Sequence, residues 1–237
     1  MSYETTDAFE CHFTEIGKEA PPRHLGTRYD VEGRFLPEPG NTIVCHVVAG
    51  SATAAALLAA RDALKALPHG DRFTCTPPSS YHMTVFQGTI EGRRGPDYWP
   101  AGLSADMPID DTTEWFAARL RGLPPAPSFR MRPVQMTPLG LVVAGATDAD
   151  EKAIRGWRDR LTALFDYRHP DHDEYVFHVT LAYQTAWLPA DAGAAYRPAL
   201  AEITRRIVEA APTLELGPPE FCVFDDMKEF RPLIALG

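Results

Sequence analysis

Apolar residues along this chain come in short blocks separated by turn formers, and two of those blocks repeat each other. "TIVCHVVA" (42–49) is a β-branched apolar run of strand length. Ser51 then caps a helix, "ATAAALLAARDALKAL", whose apolar face carries Leu57, Leu58, Ala60, Leu64 and Leu67. "YHMTVFQG" (81–88) reads as a second strand, and a Gly/Pro-rich stretch over 88–110 as a long loop. Thr112 or Thr113 is placed to cap a helix bearing Trp115, Phe116 and Leu120, and "SFRMRPVQM" (128–136) alternates as a strand. The order then recurs. "LGLVVAG" (139–145) is a strand, and Asp148 with Glu151 has the form of a capping box. Behind it Ile154, Trp157, Leu161, Leu164 and Phe165 fall at helical spacing. "VFHVTLAY" is the next strand, and Pro198 opens a helix with Leu200, Ile203 and Ile207. "EFCVF" (220–224) and "PLIAL" (232–236) are the last strands.

The chain therefore holds two strand–helix–strand–helix–strand units, with the seam at "MTPLG" (136–140). Residues 1–40, rich in Pro and Gly, form an irregular N-terminal arm; 41–237 is one domain with halves of about 41–138 and 139–237. The middle strand of each unit carries His-x-Thr, His82 with Thr84 and His178 with Thr180, 96 residues apart. A duplicated unit usually packs about a pseudo-two-fold axis, which would bring the histidines face to face in one groove. Alternation puts His82, Thr84 and Phe86 on one strand face and Tyr81, Met83 and Val85 on the other. In the second copy His178 and Thr180 oppose Phe177, Val179, Leu181 and Tyr183. The wholly apolar sets are expected under the helices, leaving the His/Thr sets on an open face.

Two imidazoles across a groove suit displacement at phosphorus, one taking a proton from the attacking oxygen and the other giving one to the leaving oxygen. The threonine hydroxyls, roughly 7 Å along each strand from the histidines, can donate to phosphate oxygens. This scheme needs no metal and no cofactor. A third His-x-Thr, His12 with Thr14, lies in the arm outside the duplication and is read as a chance copy.

The paired motifs resemble the two-histidine (2H) phosphoesterase superfamily, which includes 2′,3′-cyclic nucleotide phosphodiesterases and RNA end-processing enzymes. "GRFLPEPGNTIVCHV" and "FDDMKEFRPL" further resemble a bacterial and fungal subgroup of it. The resemblance spans about residues 25–237. It implies a bilobal α+β fold, duplicated units with mainly antiparallel sheets around a central cleft. It also implies metal-independent catalysis by His82, Thr84, His178 and Thr180. The long loop at 88–110 departs from the better-known branches and could reshape the cleft. The competing expectation is a module that binds a phosphorylated nucleotide or RNA end without turnover.

Other candidates carry two readings each. Arg130 and Arg132 alternate with Phe129 and Met131, and either face the cleft to hold a phosphate or are solvated arginines of an edge strand. Phe86 either stacks on a base or packs at a strand end. His169, Asp171, His172 and Asp173 have metal-ligand types, but beside Pro170 they read as a solvated loop, so no metal site is assigned. His24 and His46 have no repeated counterpart and are read as structural. No GxSxG, Walker A or GxGxxG pattern is present.

Composition narrows the partners. The net charge of −9 argues against a duplex nucleic acid partner, leaving a small phosphate-containing substrate such as a nucleotide or an RNA end. No apolar run is long enough to span a bilayer. The acidic start "MSYETTDAFE" lacks signal-peptide features, and the four cysteines show no CxxC or zinc spacing. Together these give the expectation of a cytoplasmic protein with reduced thiols.

Overall fold

The computed structural model describes residues 6–237. Seven strands form one antiparallel sheet: β1 (Gly40–His46), β3 (His82–Ile90), β4 (Met131–Thr137), β5 (Gly140–Gly145), β6 (His178–Thr180), β8 (Glu220–Phe224) and β9 (Arg231–Ala235). Their order across it is β4-β5-β6-β3-β1-β8-β9. A separate two-stranded ladder joins β2 (Phe73–Cys75) to β7 (Ala182–Gln184). Helices α3 (Ile109–Leu120), α4 (Asp148–Phe165) and α5 (Gly193–Ala210) pack on the sheet, and α2 (Ala52–Lys65) and α1 (Thr6–Phe13) lie against α5. The fold is thus α+β with mainly antiparallel sheets. Among the described residues no helix is long and apolar enough to cross a membrane, and the four cysteines are free thiols.

With the terminal β9 set aside, the sheet order is palindromic about the β3–β6 contact once the two units are superposed. The pairings Val44↔Thr84 and His46↔His82 in the first unit become Gly140↔Thr180 and Val142↔His178 in the second, each shifted by the same 96 residues. The third strand of each unit crosses over: β4 pairs with β5, the first strand of the second unit, and β8 pairs with β1. The seam at 138/139 therefore falls inside a continuous β4–β5 hairpin rather than between two separate sheets. Gly140 closes that hairpin at φ 154°, and a Cβ there would sit 2.1 Å from the Val179 carbonyl oxygen, so only glycine fits.

Side chains on the helix side make the larger core, with Ile43, Cys45, Met83, Val85, Leu141, Val143, Val179 and Leu181 all buried there. The opposite face holds a smaller cluster of Val44, Ile90, Cys222, Phe224, Met227 and Phe230 over the β1–β8 half. Cap chemistry sets the helix starts. Ser51 caps α2 by accepting from Ala54 N. The capping box of α4 is Thr147 with Asp150, one residue ahead of the expected pair. Thr112 and Thr113 do not cap α3, which begins at Ile109; both are buried inside it. There Thr112 bonds Thr89 (2.7 Å), and Asn41 Nδ2 donates to Thr89 (2.9 Å) and Thr113 (3.0 Å), so the threonines anchor α3 to the sheet. Pro198 lies six residues into α5 instead of opening it.

One irregularity redirects a side chain singled out above. Ile43 stands opposite Phe86 but Val44 stands opposite Thr84, so Val85 is an extra residue, a bulge in β3. Beyond it the alternation is inverted. Phe86 turns from the His82 face into the helix-side core, fully buried against Phe165 (5.6 Å), Tyr167 (5.5 Å) and His169 (5.1 Å). The substrate-stacking role for Phe86 is therefore wrong: the residue packs. Phe86→Ala should lower unfolding stability by about 3–5 kcal/mol, the cost of emptying a buried aromatic position. Urea denaturation measures it, and a loss under 1 kcal/mol would contradict this placement.

Candidate active site

The two motif strands meet through a very short ladder in which Met83 stands opposite Val179. Antiparallel geometry then sets His82 across from Thr180 and Thr84 across from His178, with all four side chains on the face away from the helices. Each histidine is held alike. His82 Nδ1 bonds the Ser80 carbonyl at 2.7 Å, and His178 Nδ1 bonds the Val176 carbonyl at 2.9 Å, two residues upstream in both cases. A carbonyl only accepts, so each Nδ1 carries the proton and each Nε2 is left to act on a ligand. Two oriented Nε2 atoms with two hydroxyls between them form an arrangement suited to paired proton transfer at phosphorus.

The surroundings of the two rings differ. His82 is half-buried under Phe230, ring centroids 4.0 Å apart, and lies 6.4 Å from the ring of His46. Burial lowers its pKa to about 4, and the nearby His46 and His178 add to the effect against the opposing pull of the Ser80 carbonyl. His46 is clamped between Glu220 (Nδ1–Oε2, 2.9 Å) and the Phe230 carbonyl (Nε2–O, 3.1 Å). His178 is exposed, beside Val142 and 6.3 Å from the ring of Tyr175. Tyr175 in turn is covered by the Arg158 guanidinium at 4.0 Å. Arg158 is 1% exposed; it donates to the Val85 carbonyl, while its Nε and Nη2 have no partner. Tyr167 donates to the Gln87 carbonyl at 2.6 Å. Arg158 and Tyr167 thus complete the β3 ladder where β6 has ended.

The structure brings together His82, Thr84, His178 and Thr180, and it separates the other candidates from them. Arg132 pairs opposite Ala144 and so shares the motif face, but on the edge strand two spacings, roughly 10 Å, from His178. Arg130 is turned to the start of α4, where its backbone N–H (2.9 Å) and guanidinium (3.7 Å) meet Asp150. Both are exposed, as edge-strand arginines are. The 169–173 segment is dispersed: His169 is buried against Phe86, His172 bonds Asp159 at 2.8 Å, and Asp173 pairs with Arg168. Among the described residues no group of three or more His, Cys, Asp and Glu side chains could hold a metal ion. His12 sits at the end of α1, where helical geometry divides it from Thr14.

Several neighbours of the motif were not read as site residues: His46, Glu220, Phe230, Tyr175 and Gln87. For His46 a signal existed, since it follows Val44 in alternation on the strand paired with the motif. The others depend on register and on a bulge that the sequence pattern does not reveal.

Known proteins agree with this architecture. The family model described as "2H-phosphodiest: Domain of unknown function (DUF1868)" matches residues 28–142, which hold the first motif. The crystal structure of a conserved protein of unknown function, ATU0111 from Agrobacterium tumefaciens strain C58, is similar over 98% of this chain and 100% of its own, with 42% identity and a TM-score of 0.95. No functionally curated protein matches the sequence. Membership in this family supports a phosphoesterase-type activity in general and a small phosphate-containing substrate. With its two motif strands paired at the centre of the sheet, the chain belongs to the 2H phosphoesterase superfamily.

Proposed function

We propose that the protein is a metal-independent phosphodiesterase that opens a cyclic phosphate, or cleaves a phosphodiester, at a nucleotide or RNA end. The observation that carries this reading is the mirrored pair of histidines, each with Nδ1 locked on the carbonyl two residues upstream and Nε2 directed to one face. His82, kept neutral by its low pKa, is the base: its Nε2 takes a proton from water as the water oxygen bonds to phosphorus. The bond from phosphorus to the sugar oxygen breaks on the other side, and that oxygen takes its proton from His178 Nε2. The product is a phosphomonoester, with His82 protonated and His178 neutral until solvent exchange resets them. Thr84 and Thr180 donate to the non-bridging oxygens, where charge accumulates.

Replacing either histidine removes one of the two transfers. His82→Ala and His178→Ala should each lower kcat by about 10²–10⁴-fold on a 2′,3′-cyclic nucleotide or a short cyclic-phosphate-ended RNA. The double variant should lose far less than the product of the two, because groups acting in one step are not additive. Thr84→Val and Thr180→Val should cost no more than about 10²–10³-fold, the range for one oxyanion donor. His12→Ala should change nothing. Activity is expected to persist in EDTA; loss on chelation with recovery on metal addition would refute the mechanism. Tight binding of these compounds with no product would instead favour a non-catalytic module.

The assignment of base and acid has its own test in the pH dependence. A base must be neutral to act, so kcat/KM should rise with pH through the free-enzyme value for His82, near 4 rather than the usual 6.5 or so for histidine. An NMR titration of the His82 ring should give the same midpoint. The neutral ring is the form the fold favours. The contribution of this ring to stability is therefore full above pH 6.5 and falls as the unfolded chain gains a proton there between about 6.5 and 4. An acid limb that stays near 6.5 when His178 is replaced would remove His82 from the role.

A further inference from the structure

The N-terminal arm and the 91–108 loop gather positive charge on the motif face. Arg93 donates to Gln87 Oε1 at 3.1 Å, and its other Nη lies 3.4 Å from His24 Nε2. Gln87 belongs to the same face as Thr84, because their partners Thr42 and Val44 are two residues apart on β1. It stands about one face repeat, roughly 7 Å, from the motif threonine. Arg28 reaches Tyr183 OH at 3.5 Å and pairs with Glu38 at 2.6 Å. The charges of Arg28 and Arg23 act on both Arg93 and His24.

This concentration of charge is balanced only in part from within, by Glu38. Among the described residues neither Arg93 nor Arg23 has a carboxylate in ion-pair contact, and Glu38 is already paired with Arg28. Burial and the neighbouring cations push the Arg93 guanidinium down, and they lower His24 to about 3. Two further features mark the cluster. His24 is held at φ 73°, a left-handed conformation uncommon for a non-glycine residue. Gln87 Nε2 is buried with no hydrogen-bond partner. A half-buried guanidinium bonded only to neutral groups, beside an orphaned amide donor, is a site that anionic oxygens would satisfy.

We infer that Arg93, Arg28, Arg23 and Gln87 bind a second phosphate of the substrate, remote from the phosphate that reacts at the two histidines. The substrate class is then a nucleotide or RNA end whose terminal nucleoside carries a cyclic or diester phosphate on one side of the sugar and another phosphate on its 5′ side. This inference rests on the phosphoesterase reading of the adjacent motif.

Calorimetric titration tests it without turnover. The probes are adenosine 2′-monophosphate, adenosine 2′,5′-bisphosphate, and the dinucleotide ApA with a 2′-phosphate end, all at one fixed salt concentration. At least one of the two bisphosphorylated probes should bind 10-fold or more tighter than the monophosphate. Preference for the bisphosphate identifies a free 5′-phosphate as the second group; preference for the dinucleotide identifies an internucleotide phosphate. Arg93→Ala should erase the preference to within 2-fold and leave monophosphate affinity unchanged, while Arg93→Lys should keep part of it. Should Arg93→Ala fail to fold by thermal melting, Arg23→Ala, at an exposed position, should still weaken only the bisphosphorylated probes, by about 3-fold. Equal affinity for all three probes, or an equal loss for all three in the variants, overturns the inference. Its fate is separable from that of the proposed activity. An Arg93-dependent preference without ring opening sustains this site and sinks the phosphodiesterase, and ring opening without a preference does the reverse.

Discussion

The structure depends on how briefly its two central strands touch. A single residue pair, Met83 opposite Val179, joins β3 to β6, and antiparallel pairing at that point dictates that each histidine faces the other unit's threonine. A longer ladder would use the carbonyls that the site needs. Those of Ser80 and Val176 accept from the imidazoles, while those of Val85 and Gln87 accept from Arg158 and Tyr167. Every one of these acceptors flanks the point of contact. The bulge at Val85 belongs to the same economy. It inverts the strand's alternation just beyond Thr84, so that Phe86 enters the core and Gln87 takes the motif face.

A symmetric scaffold need not give a symmetric reaction. The same 96-residue shift relates His82 to His178, Ser80 to Val176 and Val44 to Gly140, but it also relates His46 to Val142. One motif histidine therefore has a clamped imidazole as its strand neighbour and an aromatic lid in Phe230, and the other has an aliphatic neighbour and open solvent. Paired proton transfer requires one group that enters as a base and one that enters as an acid. Unequal burial of otherwise identical rings is a direct way to separate them.

Much of this was legible in the chain, and the misses have physical causes. Strand and helix runs such as "EFCVF", and the repeat of His-x-Thr in matched positions, report local periodicity, which survives without knowledge of partners. Spacing from strand starts agrees closely between the halves, 39 and 37 residues from Ile43 and Leu141 to the motif histidines. Strand pairing shows a constant 96-residue offset, because apolar runs mark strand ends only loosely. The exchange of β4 and β8 between units could not be read, since strand partners are a tertiary choice. Phe86 was misplaced because alternation assumes an unbroken pleat. For the arginines at 130 and 132 local alternation left the cleft-facing and the solvated edge-strand readings open, and the edge position of β4 decides their surroundings.

The duplicated and unduplicated parts of the chain do different work on the proposed reading. Chemistry that needs two equivalent proton-transfer groups comes from the repeated strands. The segments with no repeat, the arm bearing Arg23, His24 and Arg28 and the loop bearing Arg93, add charge to one side of that chemistry only. A chain of net charge −9 cannot draw in an anionic substrate by its overall field. Recognition must come at short range, from donors whose desolvation has already been met by the fold. On that reading Arg93, held by the neutral partners Gln87 and His24, keeps its charge available to a ligand, whereas Arg28 is matched by Glu38. The requirement also means that discrimination among phosphate compounds can change through the arm and loop while the histidine pair stays as it is.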